Sequence, residues 1–168
     1  MLRVLGIDAG LQRTGWGVID SSGPRLTAVA FGVVRTDADR PIEQRLLTIH
    51  DGLSAVIDEH HPDACAIEDI FMAKHARSAL VLGEARGAAL LAVARSRLPT
   101  FAYPPALVKR SIAGRGAAPK EQVQNVIRAV LGLREVPPHD AADALAVAIC
   151  HANASRVHIA WDRARART

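Results

Sequence analysis

The chain opens on an apolar run. Residues 2–8 (LRVLGID) are mostly hydrophobic and close on an acid, the pattern of a strand buried on both faces. Residues 14–20 (TGWGVID) and 25–36 (RLTAVAFGVVRT) read as two more strands, divided by the turn Ser21-Ser22-Gly23-Pro24. Short links make the three a meander. The period then changes. Ile42, Leu46, Ile49, Leu53, Val56 and Ile57 recur at helical spacing, so residues 41–60 form an amphipathic helix that Pro62 stops. Residues 64–69 (ACAIED) return to a short buried strand, again ending in acids.

The second half is richer in helix. After a loop at residues 70–75, residues 76–97 predict a long helix. Residues 99–103 form a fifth strand closed by Pro104-Pro105, and residues 106–113 a short helix. Gly114-Arg115-Gly116 is a basic loop, and residues 119–131 are a helix with proline in its first turn. Pro137-Pro138 breaks the chain before an Ala-rich helix over residues 139–152 and a frayed polar tail. The order βββ-α-β-α-β-α-α-α predicts an α/β fold, a five-stranded mixed sheet flanked by helices.

A length of 168 residues suits one domain, here residues 1–153, with residues 154–168 as a basic, flexible extension. Hydrophobic residues make up 49% and charged residues 23%, which excludes a disordered or collagen-like chain. No apolar run approaches the ~20 residues that span a bilayer, and the first residues are too short for a signal peptide. The expectation is a cytoplasmic protein with no membrane partner. Cys65 and Cys150 sit in apolar surroundings and read as small buried hydrophobes.

Charge is unevenly spread. Residues 37–70 carry two basic and nine acidic groups, whereas residues 71–130 carry ten basic and two acidic. An acidic stretch beside a basic one points to a polyanion held near carboxylates; segregated solvated helix faces would give the same pattern. Arg outnumbers Lys 18 to 3, yet Lys74, Lys109 and Lys120 all fall in the basic stretch.

Asp8 and Glu68 end the first and fourth strands. If those strands are parallel neighbours, the two acids lie about 5 Å apart. So close a pair holds a proton or shares a cation. Asp140 and Asp143, three apart, share one face of the last helix. The small residues Ala141, Ala142 and Ala144 let that helix approach the sheet. Such an oxygen-rich set without cysteine describes a site for Mg²⁺ or Mn²⁺, and two ions could support phosphodiester hydrolysis. Plainer roles exist: Asp140 as a helix N-cap with Asp143 favoured by the dipole, and Glu68-Asp69 as an exposed strand end. His139 could be a ligand, a group that supports one or, as read first, a solvated residue before the helix.

In order along the chain, several motifs accumulate. They are Gly6-Ile7-Asp8-Ala9-Gly10, Thr14-Gly15-Trp16-Gly17-Val18, Ala66-Ile67-Glu68, Phe71-Met72-Ala73-Lys74, Ser78-Ala79-Leu80, Ala85-Arg86-Gly87, Val108-Lys109, Lys120, Val123-Gln124 and Asp140-Ala141-Ala142-Asp143-Ala144-Leu145-Ala146. This series, from about residue 2 to residue 152, resembles the RuvC-type Holliday junction resolvases. The resemblance implies a ribonuclease H-like fold and a homodimer. It implies a metal-dependent endonuclease that nicks opposed strands of a four-way DNA junction in recombination and repair. It further implies catalytic, metal-binding acids at Asp8, Glu68, Asp140 and Asp143, and action with the RuvA–RuvB branch-migration complex. Two departures stand out. Ala9 replaces a common proline, and some relatives carry His where this chain has Asp140, with His139 just before it.

Beside the resemblance, Phe71 falls in a loop three residues after Glu68, where a Phe could stack on a base or tuck into the core. Lys74, Lys109 and Lys120, with Arg77, Arg110 and Arg115, could hold phosphates. Lys109 and Lys120 match lysines implicated at the junction, and Lys120 is the candidate to steady the transition-state charge. Gly83 and Gly87 permit close packing of their helix, on its own sheet or, as the resemblance implies, on a second copy. Three other readings compete. A YqgF-type ribonuclease H-like nuclease shares the opening motif. An actin-like ATPase needs two such domains, and a non-catalytic DNA-binding module leaves the convergent acids unexplained.

Overall fold

The structure, a computed structural model, describes residues 1–69, 76–113 and 120–165; the side chains of Ala76, Ala113, Lys120, Glu121 and everything after Arg156 are not described. Phe71, Lys74 and Arg115 therefore lie outside the described residues, as does the Lys120 side chain.

The meander forms as the apolar runs predict: β1 (Leu2–Asp8), β2 (Arg13–Ser22) and β3 (Arg25–Arg35). Helix α1 (Ile42–His60) follows and ends where His61 turns left-handed ahead of Pro62, its N–H donating to the Ile57 carbonyl at 2.9 Å. Then come β4 (Ala64–Glu68), α2 (Ala76–Arg95), β5 (Thr100–Tyr103), α3 (Pro105–Ala113), α4 (Lys120–Leu131) and α5 (His139–Arg165). The sheet order is β3-β2-β1-β4-β5, with β4 parallel to both β1 and β5.

The two-residue strand period sorts side chains onto two cores. Leu5, Ile7, Val18, Cys65 and Ile67 pack against α1 and α2 through Ile49, Leu53, Ala85 and Ala89. Val4, Ile19 and Ala66 face the other way, onto Leu145, Ala148 and Ile149 of α5. Leu5, Ile7 and Ile67 have no exposed surface, and each such side chain contributes about 2 kcal/mol by burial.

One joint in this layering is unusually tight. Gly6 and Gly17 face each other across β1 and β2, and Gly15 stands opposite Asp8. A Cβ on Gly6 would overlap the Ala144 carbonyl, and one on Gly15 the Asp140 carbonyl. These glycines form a slot into which the backbone of α5 drops, and its alanines complete the fit.

The last helix differs from the expectation. It does not fray near Ala152 but runs to Arg165. The segment has no glycine or proline, and Ala and Arg are strong helix formers. Arg156 also donates to the Gly23 carbonyl at 3.1 Å and contacts Asn153, tying the extension to the β2–β3 turn. Among the described residues no helix is long and apolar enough to cross a membrane.

Candidate active site

Asp8 ends β1 and Glu68 ends β4. The parallel register pairs Gly6 with Ala66 and Ile7 with Ile67, so Asp8 and Glu68 follow as the next neighbours. Both are two residues beyond a position that faces α5, namely Gly6 and Ala66. Alternation therefore turns both carboxylates to the α5 side. There the slot has already brought the first turn of α5, with Asp140 and Asp143, down onto β1 and β2.

The electrostatics register this convergence. Burial pushes the Asp8 carboxyl up from 3.8 to about 7, helped by the negative charges of Asp143, Glu68 and Asp140 in that order. Glu68 is raised as well, by burial and then Asp143, while the Lys109 ammonium on α3 acts to lower it. Asp8 so near neutrality at physiological pH marks an excess of negative charge that a cation would relieve.

Three further side chains engage the acids. His139 Nδ1 lies 3.0 Å from Asp143 Oδ2, one helical turn along. His139, though half exposed, thus also contacts the acidic set. The (i, i+4) spacing was the available signal. Arg13 Nη1 stands 3.8 Å from Asp140 Oδ2, and Arg86 of α2 reaches the end of β4, Nη2 to Asp69 Oδ1 at 3.3 Å. The Arg13 contact crosses from β2 to α5, with no local signal in the sequence.

Hard carboxylate oxygens fit Mg²⁺ or Mn²⁺ better than any softer ion. Among the described residues, however, no three His, Cys, Asp or Glu side chains stand at the spacing of a finished coordination shell. Asp143 and Asp140 meet His139 and Arg13 through Oδ2. The donor chemistry fits a divalent cation, and the geometry leaves its last adjustment to binding.

The predicted phosphate-holding residues divide. Lys109 and Arg110 are exposed on α3, and the Lys109 charge is felt at Glu68. Arg110 acts toward Cys150 instead. Arg77 is exposed and lines a shallow cleft with Leu11, Ser78, Val81 and Leu82, beside the turn that follows Asp8. Among the described residues, a Cβ on Gly83 or Gly87 would meet nothing within 4 Å outside its own helix. Helix α2 packs inward through Ala85, Ala89, Ala92 and Val93 instead, so these glycines do not serve packing on their own sheet.

Residues 4–151 match the family described as Crossover junction endodeoxyribonuclease RuvC. The chain belongs to the RuvC family. A RuvC of Geobacter sulfurreducens is 49% identical over 154 residues, covering 92% of this chain and 94% of that protein. One of Sorangium cellulosum is 51% identical over 154 residues, covering 92% and 86%. The structure of Thermus thermophilus RuvC in complex with Holliday junction substrate superposes with a TM-score of 0.88 at 36% identity, covering 94% of this chain and 97% of that one. The fold is thus the ribonuclease H-like fold of RuvC, and the YqgF alternative is not favoured. The yeast mitochondrial resolvase Ydc2, at 14% identity and a TM-score of 0.61, shares the fold.

Proposed function

We propose that this RuvC-family chain resolves four-way DNA junctions by paired, metal-dependent nicks during recombination and repair. The observation that carries the reading is the convergence of Asp8 and Glu68, on adjacent strand ends, with Asp140 and Asp143 at the foot of α5. A divalent cation held there, or two, would activate water and offset charge on the scissile phosphate. The carboxylates bind and orient that charge. Asp143 and His139 share a contact through which Asp143 can be held or released. The residues assigned to DNA contact are Lys109 and Lys120, with Phe71, Lys74, Arg77, Arg110 and Arg115; the cations would position phosphates and Phe71 would stack on a base. The nuclease unit is residues 1–153, acting in the cytoplasm beside the RuvA–RuvB complex.

The decisive experiment uses a synthetic four-way junction and a matched duplex, each with Mg²⁺, Mn²⁺ or chelator. Symmetric nicks on the junction alone, with metal alone, are expected. Glu68→Gln and Asp143→Asn should bind the junction normally and cut at least ~10³-fold more slowly. Near-normal cleavage by either variant removes that residue from the site, and cutting of duplex instead moves the activity to another nuclease class.

Paired nicks need two sites related by a two-fold axis, hence a homodimer. The surface for it is the outer face of α2. Leu80 is 64% and Leu91 57% exposed, and Gly83 and Gly87 lie between them on the same side of the helix. Such an apolar stripe with two glycines allows a second helix to approach closely. Leu91→Glu should give a folded monomer by light scattering and lose paired cutting; an unchanged dimer mass would move the interface elsewhere.

A further inference from the structure

We infer that Arg86 is a positioning residue, through which the outward-facing helix α2 sets the placement of Glu68. The inference rests on the assignment of Glu68 to the nuclease site. Arg86 lies between Gly83 and Gly87 in sequence, but its side chain turns inward and is only 20% exposed. Its guanidinium touches two successive residues at the end of β4: Nε donates to the Glu68 carbonyl at 3.4 Å, and Nη2 lies 3.3 Å from Asp69 Oδ1. From the other side the Asp69 N–H donates to the Tyr103 carbonyl of β5 at 2.8 Å. The strand end that presents Glu68 is therefore gripped between β5 and α2.

Each grip does something different. The β5 bond continues the sheet and fixes the height of the strand end. The Arg86 fork crosses from another layer and fixes its lateral position. A planar guanidinium meets the carbonyl and the carboxylate with two donors in a fixed fork; an ammonium can donate to both, but on a flexible stem it fixes their relative position less. The energetics agree with a placing role. Asp69 is 53% exposed at its side chain, and ion pairs open to solvent stabilise a fold by little. Placement is where such a contact matters, because a misplacement of about 1 Å at a reacting group can cost ~10²-fold in rate. Gly87 follows Arg86 directly and lies on the open stripe, so a shift or roll of α2 at that face reaches Glu68 through one side chain.

The test compares Arg86→Met, Arg86→Lys and wild type as full-length proteins. Melting temperature, oligomer mass, junction affinity in chelator, Mn²⁺ affinity by calorimetry and single-turnover cleavage are measured. Arg86→Met should keep its fold, mass and junction affinity within ~3-fold, while cleavage falls ~10–100-fold and Mn²⁺ binds several-fold more weakly. Arg86→Lys should recover part of both losses. Cleavage and Mn²⁺ affinity within ~3-fold of wild type in Arg86→Met would overturn the inference, as would a rate loss explained wholly by lost dimer or lost junction binding. If Arg86→Met does not fold, Asp69→Ala removes the partner without touching α2, and the same two outcomes decide. If wild type cut no junction, the nuclease assignment of Glu68 would fall, and the Mn²⁺ titration of Arg86→Met would still decide the positioning role.

Discussion

Asp8→Asn should make the metal-free protein more stable at pH 8 while abolishing its cleavage. The carboxyl of Asp8 is pushed from 3.8 up to about 7, first by burial and then by Asp143, Glu68 and Asp140. A carboxylate raised by folding binds its proton more readily in the native state than in the unfolded chain. Stability therefore falls as pH rises from about 4 to 7 and stays low above that. The full penalty corresponds to about 4 kcal/mol at most. Removing the charge should recover about 2–4 kcal/mol at pH 8, or roughly 5–10 °C in melting temperature. The gain should shrink toward zero as pH approaches 4. Mn²⁺ should raise the melting temperature of wild type at pH 8 and leave Asp8→Asn nearly unmoved. Cleavage should fall by at least ~10³-fold. A variant melting at or below wild type at pH 8 would show that the acids do not strain the fold.

The second large effect concerns the slot under α5. Alanine at Gly6 or Gly15 places a methyl inside a backbone carbonyl, of Ala144 or Asp140. Backbone cannot rotate aside, so α5 must lift from the sheet. Each change should cost about 3 kcal/mol or more, at or beyond the usual range for overpacking. Gly17→Ala is the internal control. Its added methyl would sit 2.5 Å from Leu145 Cδ2 and 2.7 Å from Cγ but 3.3 Å from the α5 backbone, so a buried side chain rather than the helix must give, and the change should cost about 2 kcal/mol. Gly15→Ala should also cut cleavage more than its stability loss explains, because the overlap falls on the residue that carries the Asp140 carboxylate. Chemical denaturation and single-turnover assays on the three variants check this. Equal costs at all three positions would mean that α5 is not seated by backbone contact.

Much of this was legible before any coordinates. The strand acids could be placed at strand ends because apolar runs close on Asp8 and on Glu68, and a right-handed crossover makes those strands parallel; that they are neighbours comes from the sheet order. The alanines around Asp140 and Asp143 already signalled close approach. What they approach was not legible. Gly6, Gly15 and Gly17 are far from α5 in sequence, and nothing local says which surface they serve. Helix α5 runs past the end that polar composition predicts, because intrinsic propensity and the contact with the Gly23 carbonyl carry it on. Arg86 was visible as part of a motif, but its two acceptors lie on another layer, and only the packed sheet brings them to one guanidinium.

The slot also bears on when the enzyme first becomes dangerous. A ribosome delivers β1 and β4 early, and with them Asp8 and Glu68, but the residues from His139 onward come last. Until that final helix emerges and seats itself against Gly6 and Gly15, the growing chain holds half of a nuclease. A truncated product ending before Asp140 carries the same half. On the proposed site, synthesis order would withhold DNA cleavage from any chain that stops short of Asp140, with no inhibitor required.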